Sequence, residues 1–139
     1  MDTSKRLSYQ ETIIQHRRMW NWIADKTMES EQCVTKYEYM LHLERNSEQK
    51  KIPIHLCFLC DYATLTAYME TGKTSSDIRC RYCPCVWPGG CCYKNDRQNL
   101  RPLYTRWIDA HQEQNYKNAA KYARKIADLP AKPENRIGE

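Results

Sequence analysis

Two cysteine pairs carry the clearest chemistry in this chain, Cys57-Phe-Leu-Cys60 and Cys80-Arg-Tyr-Cys83, with residues 61 to 79 between them. Four thiolates in two such pairs can form a tetrahedral sulfur cage, the usual shell of a structural zinc ion. The separation fits the pattern of two Cys-x-x-Cys pairs that close on one metal. The expected cofactor is therefore one structural Zn2+ held by Cys57, Cys60, Cys80 and Cys83. Cys85, Cys91, Cys92 and His55 are near enough in sequence to replace one of the four. Cys33 is remote, and the adjacent Cys91 and Cys92 are poorly placed to aim at one ion, which disfavours a second site. A closed four-sulfur shell leaves no position for an activated water, so such a site is structural. The bland reading of the same residues is reduced, buried cysteine acting as a small apolar side chain.

Catalytic constellations fare worse. A zinc deaminase needs His-x-Glu and a later Pro-Cys-x-x-Cys. His42-Leu43-Glu44 and Pro84-Cys85 begin that pattern, but Pro88 stands where the second cysteine belongs. His16, His42, His55 and His111 are scattered, with no nuclease-like grouping. Only 4 Gly are present and no Walker-type phosphate loop occurs. The sequence is accordingly read as that of a binding protein, not an enzyme.

Binding candidates are basic and aromatic. The chain carries 22 Lys and Arg against 17 Asp and Glu, a net charge of +5. Most of the surplus lies beyond residue 96, which fits a phosphate backbone or an acidic protein face; the plain alternative is a solvated helix. Arg79, Arg81 and Tyr82 in or beside the second pair, and Lys117, Lys121, Arg124 and Lys125 near the C-terminus, are candidates for contact with DNA or RNA. Trp22 and Trp107 are candidate anchors for a protein partner, since Trp and Arg dominate interface energetics.

These residues need elements to hold them. Aliphatics are few, with nine Ile, nine Leu, two Val and a single Phe, but 4 Trp and 10 Tyr supply large apolar faces. The fold class expected is mainly α, a single α-rich domain with a small irregular zinc-knuckle, zinc-ribbon-like centre. Ser8-Tyr9-Gln10-Glu11 reads as a capping box opening a helix to about Thr27, with Ile13, Trp20, Ile23, Ala24 and Thr27 on one face. Thr35-Lys36-Tyr37-Glu38 is a second box, opening a helix to about Glu44 with Tyr37, Met40, Leu41 and Glu44 as a short mixed face. Tyr62 to Thr71 is weakly helical in pattern, and Gly72 suits its C-terminal cap. Residues 84–96 read as irregular. Pro102 fits the first turn of a helix over Leu103 to Ile108. The last helix spans about Asn115 to Leu129, with Tyr116, Ala119, Ala120, Ala123, Ile126 and Ala127 on its apolar face, and Pro130 stops it.

The resulting plan is a tail at 1–7, one domain at 8–130 and a flexible tail at 131–139. Within the domain, helices occupy 8–55 and 97–130 and the knuckle region occupies 56–96. Met1-Asp2-Thr3-Ser4-Lys5-Arg6 precedes a polar helix, not an apolar leader, and no run reaches the length of a membrane span. A cytoplasmic setting is expected, where paired cysteines favour metal over disulfide.

The stretch His16-Arg17-Arg18-Met19-Trp20-Asn21-Trp22-Ile23-Ala24, followed by Val34-Thr35-Lys36-Tyr37-Glu38-Tyr39, resembles small cysteine-rich zinc-binding accessory proteins of Gram-positive phages and prophages. The order of the two cysteine pairs, Pro84, Trp87, a later Cys and the ending Ile126-Ala127-Asp128-Leu129-Pro130 extend the resemblance over most of residues 8–130. Cys85 and the doubled Cys91-Cys92 are additional to that pattern. The resemblance implies a setting, not catalytic residues: a bacterial host cell, and a partner that is a host protein or ribonucleoprotein complex. An inhibitor of a host defence system, in its sharpest form an anti-CRISPR protein, is the expectation that follows.

Overall fold

The computed structural model describes residues 1–46, 57–90 and 101–139. These form six α-helices: α1 (Tyr9–Ser30), α2 (Lys36–Arg45), α3 (Phe58–Thr71), α4 (Ser76–Tyr82), α5 (Leu103–Gln112) and α6 (Tyr116–Ala127). No strand occurs among the described residues; the only β pairing there is an isolated antiparallel bridge between Cys85 and Ala131. The mainly helical class expected from sequence is what forms, but no strand-built ribbon surrounds the described cysteines.

Helix α1 is the spine, packing on α6, α3 and α2, while α5 lies on α6 and α4 on α3. It starts where the capping box requires, with the Ser8 hydroxyl accepting from the Glu11 N–H at 3.1 Å. It runs one turn beyond Thr27 and ends at Glu31, whose φ of 54° is left-handed. The Thr27 hydroxyl then accepts from Val34 N–H at 3.3 Å, turning the chain back toward α2. The five residues expected on the inner face are buried, joined by Thr12, His16 and Met19.

Helix α2 opens on its expected cap, Thr35 accepting from Glu38 N–H at 3.2 Å. Its inner face is not the one expected. Tyr39 and Leu43 are buried, whereas Tyr37 is 58% exposed. Aromatic packing sets this rotation: Trp22 of α1 stacks on His42 at 4.9 Å and meets Tyr39 edge-on at 5.4 Å.

Helix α3 begins four residues before the weak helix read from its pattern, because Cys57 caps it. The Cys57 sulfur accepts from Cys60 N–H at 3.2 Å, the role a serine oxygen usually plays. Gly72 closes α3 as expected, with φ 71° and its N–H on the Tyr68 carbonyl. Pro102 precedes α5, and Asn115 caps α6 by accepting from Asn118 N–H at 3.1 Å.

Beneath these helices Trp20 meets Trp107 edge-on at 4.8 Å, and Lys36 lies over the Tyr104 ring at 4.4 Å. Residues 131–139, expected as a loose tail, lie bonded along the second cysteine segment. Val86 N–H donates to Pro130 O at 2.8 Å, Lys132 N–H to Pro84 O at 2.7 Å, and Gly138 N–H to Arg81 O at 2.9 Å. The Tyr9 hydroxyl donates to the Lys132 carbonyl, and Ile137 packs against Ala63, Ala67 and Tyr82. Those carbonyls and N–H groups find main-chain partners across the molecule, which is why the segment is ordered.

Candidate functional site

The cysteines of the two pairs sit at helix ends. Cys57 is the N-cap of α3 and Cys60 lies in its first turn; Cys80 is in the last turn of α4 and Cys83 is its C-cap. Cys57 and Cys83 both pack against the core cluster that contains Cys85. The neighbouring Cys60 side chain and burial push the Cys57 thiol well above its ordinary value. Burial pushes Cys83 up to about 12. Burial pushes Cys85 up to about 11.

Among the described residues, no group of three or more His, Cys, Asp or Glu side chains is placed to hold a metal ion. The expected cage of Cys57, Cys60, Cys80 and Cys83 is thus not drawn together as it stands. Cys91, Cys92 and His55 lie outside the described residues. The donor chemistry nonetheless suits a thiophilic cation. The four ligands first expected are all sulfur, and Cys57 accepts the Cys60 N–H at 3.2 Å. Cys85 is 1% exposed and bridged to Ala131. Cys33 donates to Ala110 O at 3.8 Å and fastens the α1–α2 loop to α5, apart from this centre.

The basic candidates divide. Lys117, Lys121, Arg124 and Lys125 are exposed on α6, opposite the buried Ala119, Ala120, Ala123, Ile126 and Ala127. Arg124 is engaged by α1: it donates to Asn21 at 2.6 Å and pairs with Asp25. Arg81 is exposed and Arg79 partly buried. Two aromatic candidates must be corrected. Tyr82 is 7% exposed and covered by Gly138, so its ring cannot stack on a base. Trp107 is 6% exposed because its ring fills the space beside Trp20. Trp22 is partly buried and lines an open groove of ≈ 360 Å³ with Lys26, Glu29, Cys33 and Glu38. It packs toward α2, whereas Arg124 of α6 contacts Asn21 and Asp25 of α1.

Three features escaped the sequence reading. The buried His16 side chain bonds to the Ile126 carbonyl at 2.9 Å. Trp87 is buried in the same core cluster as Cys85. The C-terminal segment covers the second cysteine pair. His42 and Glu44, the incomplete deaminase pattern, lie on α2, where the imidazole stacks on Trp22 and Glu44 faces solvent.

No protein-family model, no curated protein and no solved structure matches this chain. No helix among the described residues is long and apolar enough to cross a membrane.

Proposed function

We propose that this chain is a zinc-stabilised, non-catalytic binding protein of phage type that blocks a host protein or ribonucleoprotein complex by occupying its surface. The carrying observation is the construction of α6. One face is entirely buried against α1 and α5, so the opposite face presents Lys117, Lys121 and Lys125 from a fixed frame. A rigid row of cations favours a partner surface of opposite sign, either acidic side chains or the phosphates of a bound guide RNA. Counter-defence, with an anti-CRISPR inhibitor as its sharpest form, is the role that fits the phage-like sequence pattern.

The proposed cofactor is one zinc ion on the cysteine pairs. Cys57 and Cys83 are its anchors, with Cys60 and Cys80 following from the sequence spacing. Bound there, zinc would supply cross-linking of α3 to the end of α4 and no chemistry on a substrate.

The experiment is affinity capture from the host with wild type and a Lys117→Glu/Lys121→Glu/Lys125→Glu variant, identifying bound proteins and nucleic acids. A host complex held by wild type and lost by the variant supports the reading; a complex retained by both removes α6 from it. A second reading, direct contact with DNA or RNA, draws on the same cations together with the exposed Arg81. It predicts binding of purified nucleic acid that weakens steeply with salt.

A further inference from the structure

Helices α5 and α6 leave an open groove of ≈ 320 Å³, lined by Arg101, Arg106, Asp109, Glu113, Asn118 and Tyr122. Two of its charges cancel: the Arg101 guanidinium forks onto the Asp109 carboxylate at 2.5 and 3.0 Å. Arg106 is held differently. Its Nε–H donates to the Arg101 carbonyl at 2.9 Å, which fixes the plane of the guanidinium, and among the described residues its terminal nitrogens meet no carboxylate. The Tyr122 ring is backed by the core cluster yet only partly buried. Asn118 stands one turn before it on α6, with a side-chain amide that can both donate and accept. The groove opens onto the lysine row, for Lys121 Nζ lies over the Tyr122 ring, 5.8 Å from its centroid.

The mixed signs of this groove discriminate between partners. An acidic peptide would gain from the cations but would set its carboxylates against Asp109 and Glu113, and it has no use for an aromatic face. A nucleotide suits every group: its phosphate suits Arg106 and the lysines, its ring suits Tyr122, and its amino and carbonyl edges suit Glu113 and Asn118. A base inside a duplex is already stacked and paired, so the strand must be single. We propose that the α5–α6 groove is a nucleotide subsite for single-stranded nucleic acid, with Tyr122 stacking on a base and Arg106 holding a phosphate beside it. This rests on the reading of α6 as the contact face, and it names the chemistry that face takes.

The test is fluorescence anisotropy of labelled single strands of about 12 nucleotides, as RNA and as DNA, with the matching duplexes and a glutamate-rich peptide for comparison. The full chain is used as wild type, Tyr122→Leu, Tyr122→Phe, Arg106→Gln and Lys117→Glu/Lys121→Glu/Lys125→Glu. Wild type should hold a single strand, RNA or DNA, more tightly than the duplex. Tyr122→Leu should weaken that binding by roughly 5- to 100-fold, as loss of one base stack does, while Tyr122→Phe keeps it. Arg106→Gln should weaken it and flatten its salt dependence by about one phosphate contact. Loss in the triple lysine variant, with wild-type binding by Tyr122→Leu and Arg106→Gln, overturns the groove and leaves the α6 reading standing. No binding of any strand by wild type at low salt, or a preference for the peptide, also overturns the groove; capture from the host then decides the α6 reading by itself. Should Tyr122→Leu fail to fold, the ring proton resonances of Tyr122 in wild type decide. They move upfield when the single strand is added if a base stacks there, and unmoved resonances overturn the proposal.

Discussion

The Nε2 of His16, midway along α1, lies 2.9 Å from the backbone carbonyl of Ile126 in the last turn of α6. A carbonyl can only accept, so the neutral imidazole carries its proton on Nε2 and donates it. The Ile126 carbonyl also accepts from Leu129 N–H at 3.3 Å, so the imidazole adds a second bond at the helix end, and it fastens together the two helices that pack most extensively. Burial holds His16 down to about 4 from 6.5, outweighing the opposite pull of the Ile126 carbonyl; Arg17 and Lys36 add to the lowering.

That depression has a pH consequence. Above pH 6.5 both folded and unfolded chains hold His16 neutral, and its contribution is complete. Between 6.5 and about 4 the unfolded chain takes up a proton that the folded chain refuses. Stability therefore falls as pH drops through this window, by up to about 3 kcal/mol, and the loss from this group levels off below it. Urea denaturation at pH 7 and pH 4.5 should show the decline in wild type and a shallower one in His16→Gln. Parallel declines in the two proteins would place the acid sensitivity elsewhere.

The α1–α6 contact should tolerate little added volume. Ala119, Ala123 and Ala127 are fully buried alongside Ile126, so small side chains let the two helices approach closely. Ala123→Leu should destabilise by about 1–3 kcal/mol through overpacking, whereas Ala131→Leu, on the partly exposed C-terminal segment, should cost less. Denaturation midpoints of the two variants provide the comparison.

What could be read in advance follows physical locality. Capping boxes act over three residues, so Ser8 and Thr35 marked the starts of α1 and α2. The alanines of α6 recur at helical spacing, so its inner face was legible. Cys57 was not, because cysteine is rarely weighed as a helix cap and Cys-Phe-Leu-Cys looked like a turn. The buried face of α2 depends on where Trp22 lands, which the pattern within α2 does not contain. His16, Trp87 and the tail escaped for the same reason: Ile126, the core cluster and residues 81–86, against which they lie, come from elements distant in sequence or are chosen by side-chain direction. The cysteine pairs were legible as chemistry, while their positions at two helix ends were not.

The C-terminal segment should act as a structural strap. Removing residues 131–139 deletes the Lys132 and Gly138 main-chain hydrogen bonds and uncovers Tyr82. At about 1 kcal/mol for each bond, before the lost burial of Ile137, the truncated protein should lose roughly 2 kcal/mol or more. Gly138→Ala is the sharper probe. Gly138 has φ 98°, and an added Cβ would lie 2.8 Å from Tyr82 Cε1. Alanine there should release the end of the segment, seen as faster amide exchange at Gly138 and Glu139 with little change in α1 or α6. Equal protection in both proteins would mean that the segment shifts to accommodate the methyl group.

The cations of α6 should separate recognition from folding. Lys117, Lys121 and Lys125 face solvent, whereas Arg124 bonds to Asn21 and Asp25. Replacing the three lysines by glutamate should leave the thermal midpoint within a few degrees of wild type, since exposed charges change stability by tenths of a kcal/mol to about 1 kcal/mol. The same change should abolish capture of an acidic or phosphate-bearing partner, because three charges are reversed along one helix face, from +3 to −3. Arg124→Ala should show the opposite balance: a small loss of stability, at most about 1 kcal/mol from an exposed pair, and partial retention of the partner. Thermal denaturation and quantitative capture on the same protein samples test both halves. If the triple variant still binds as wild type does, the contact surface lies off α6, and the groove beside Trp22 becomes the next place to mutate.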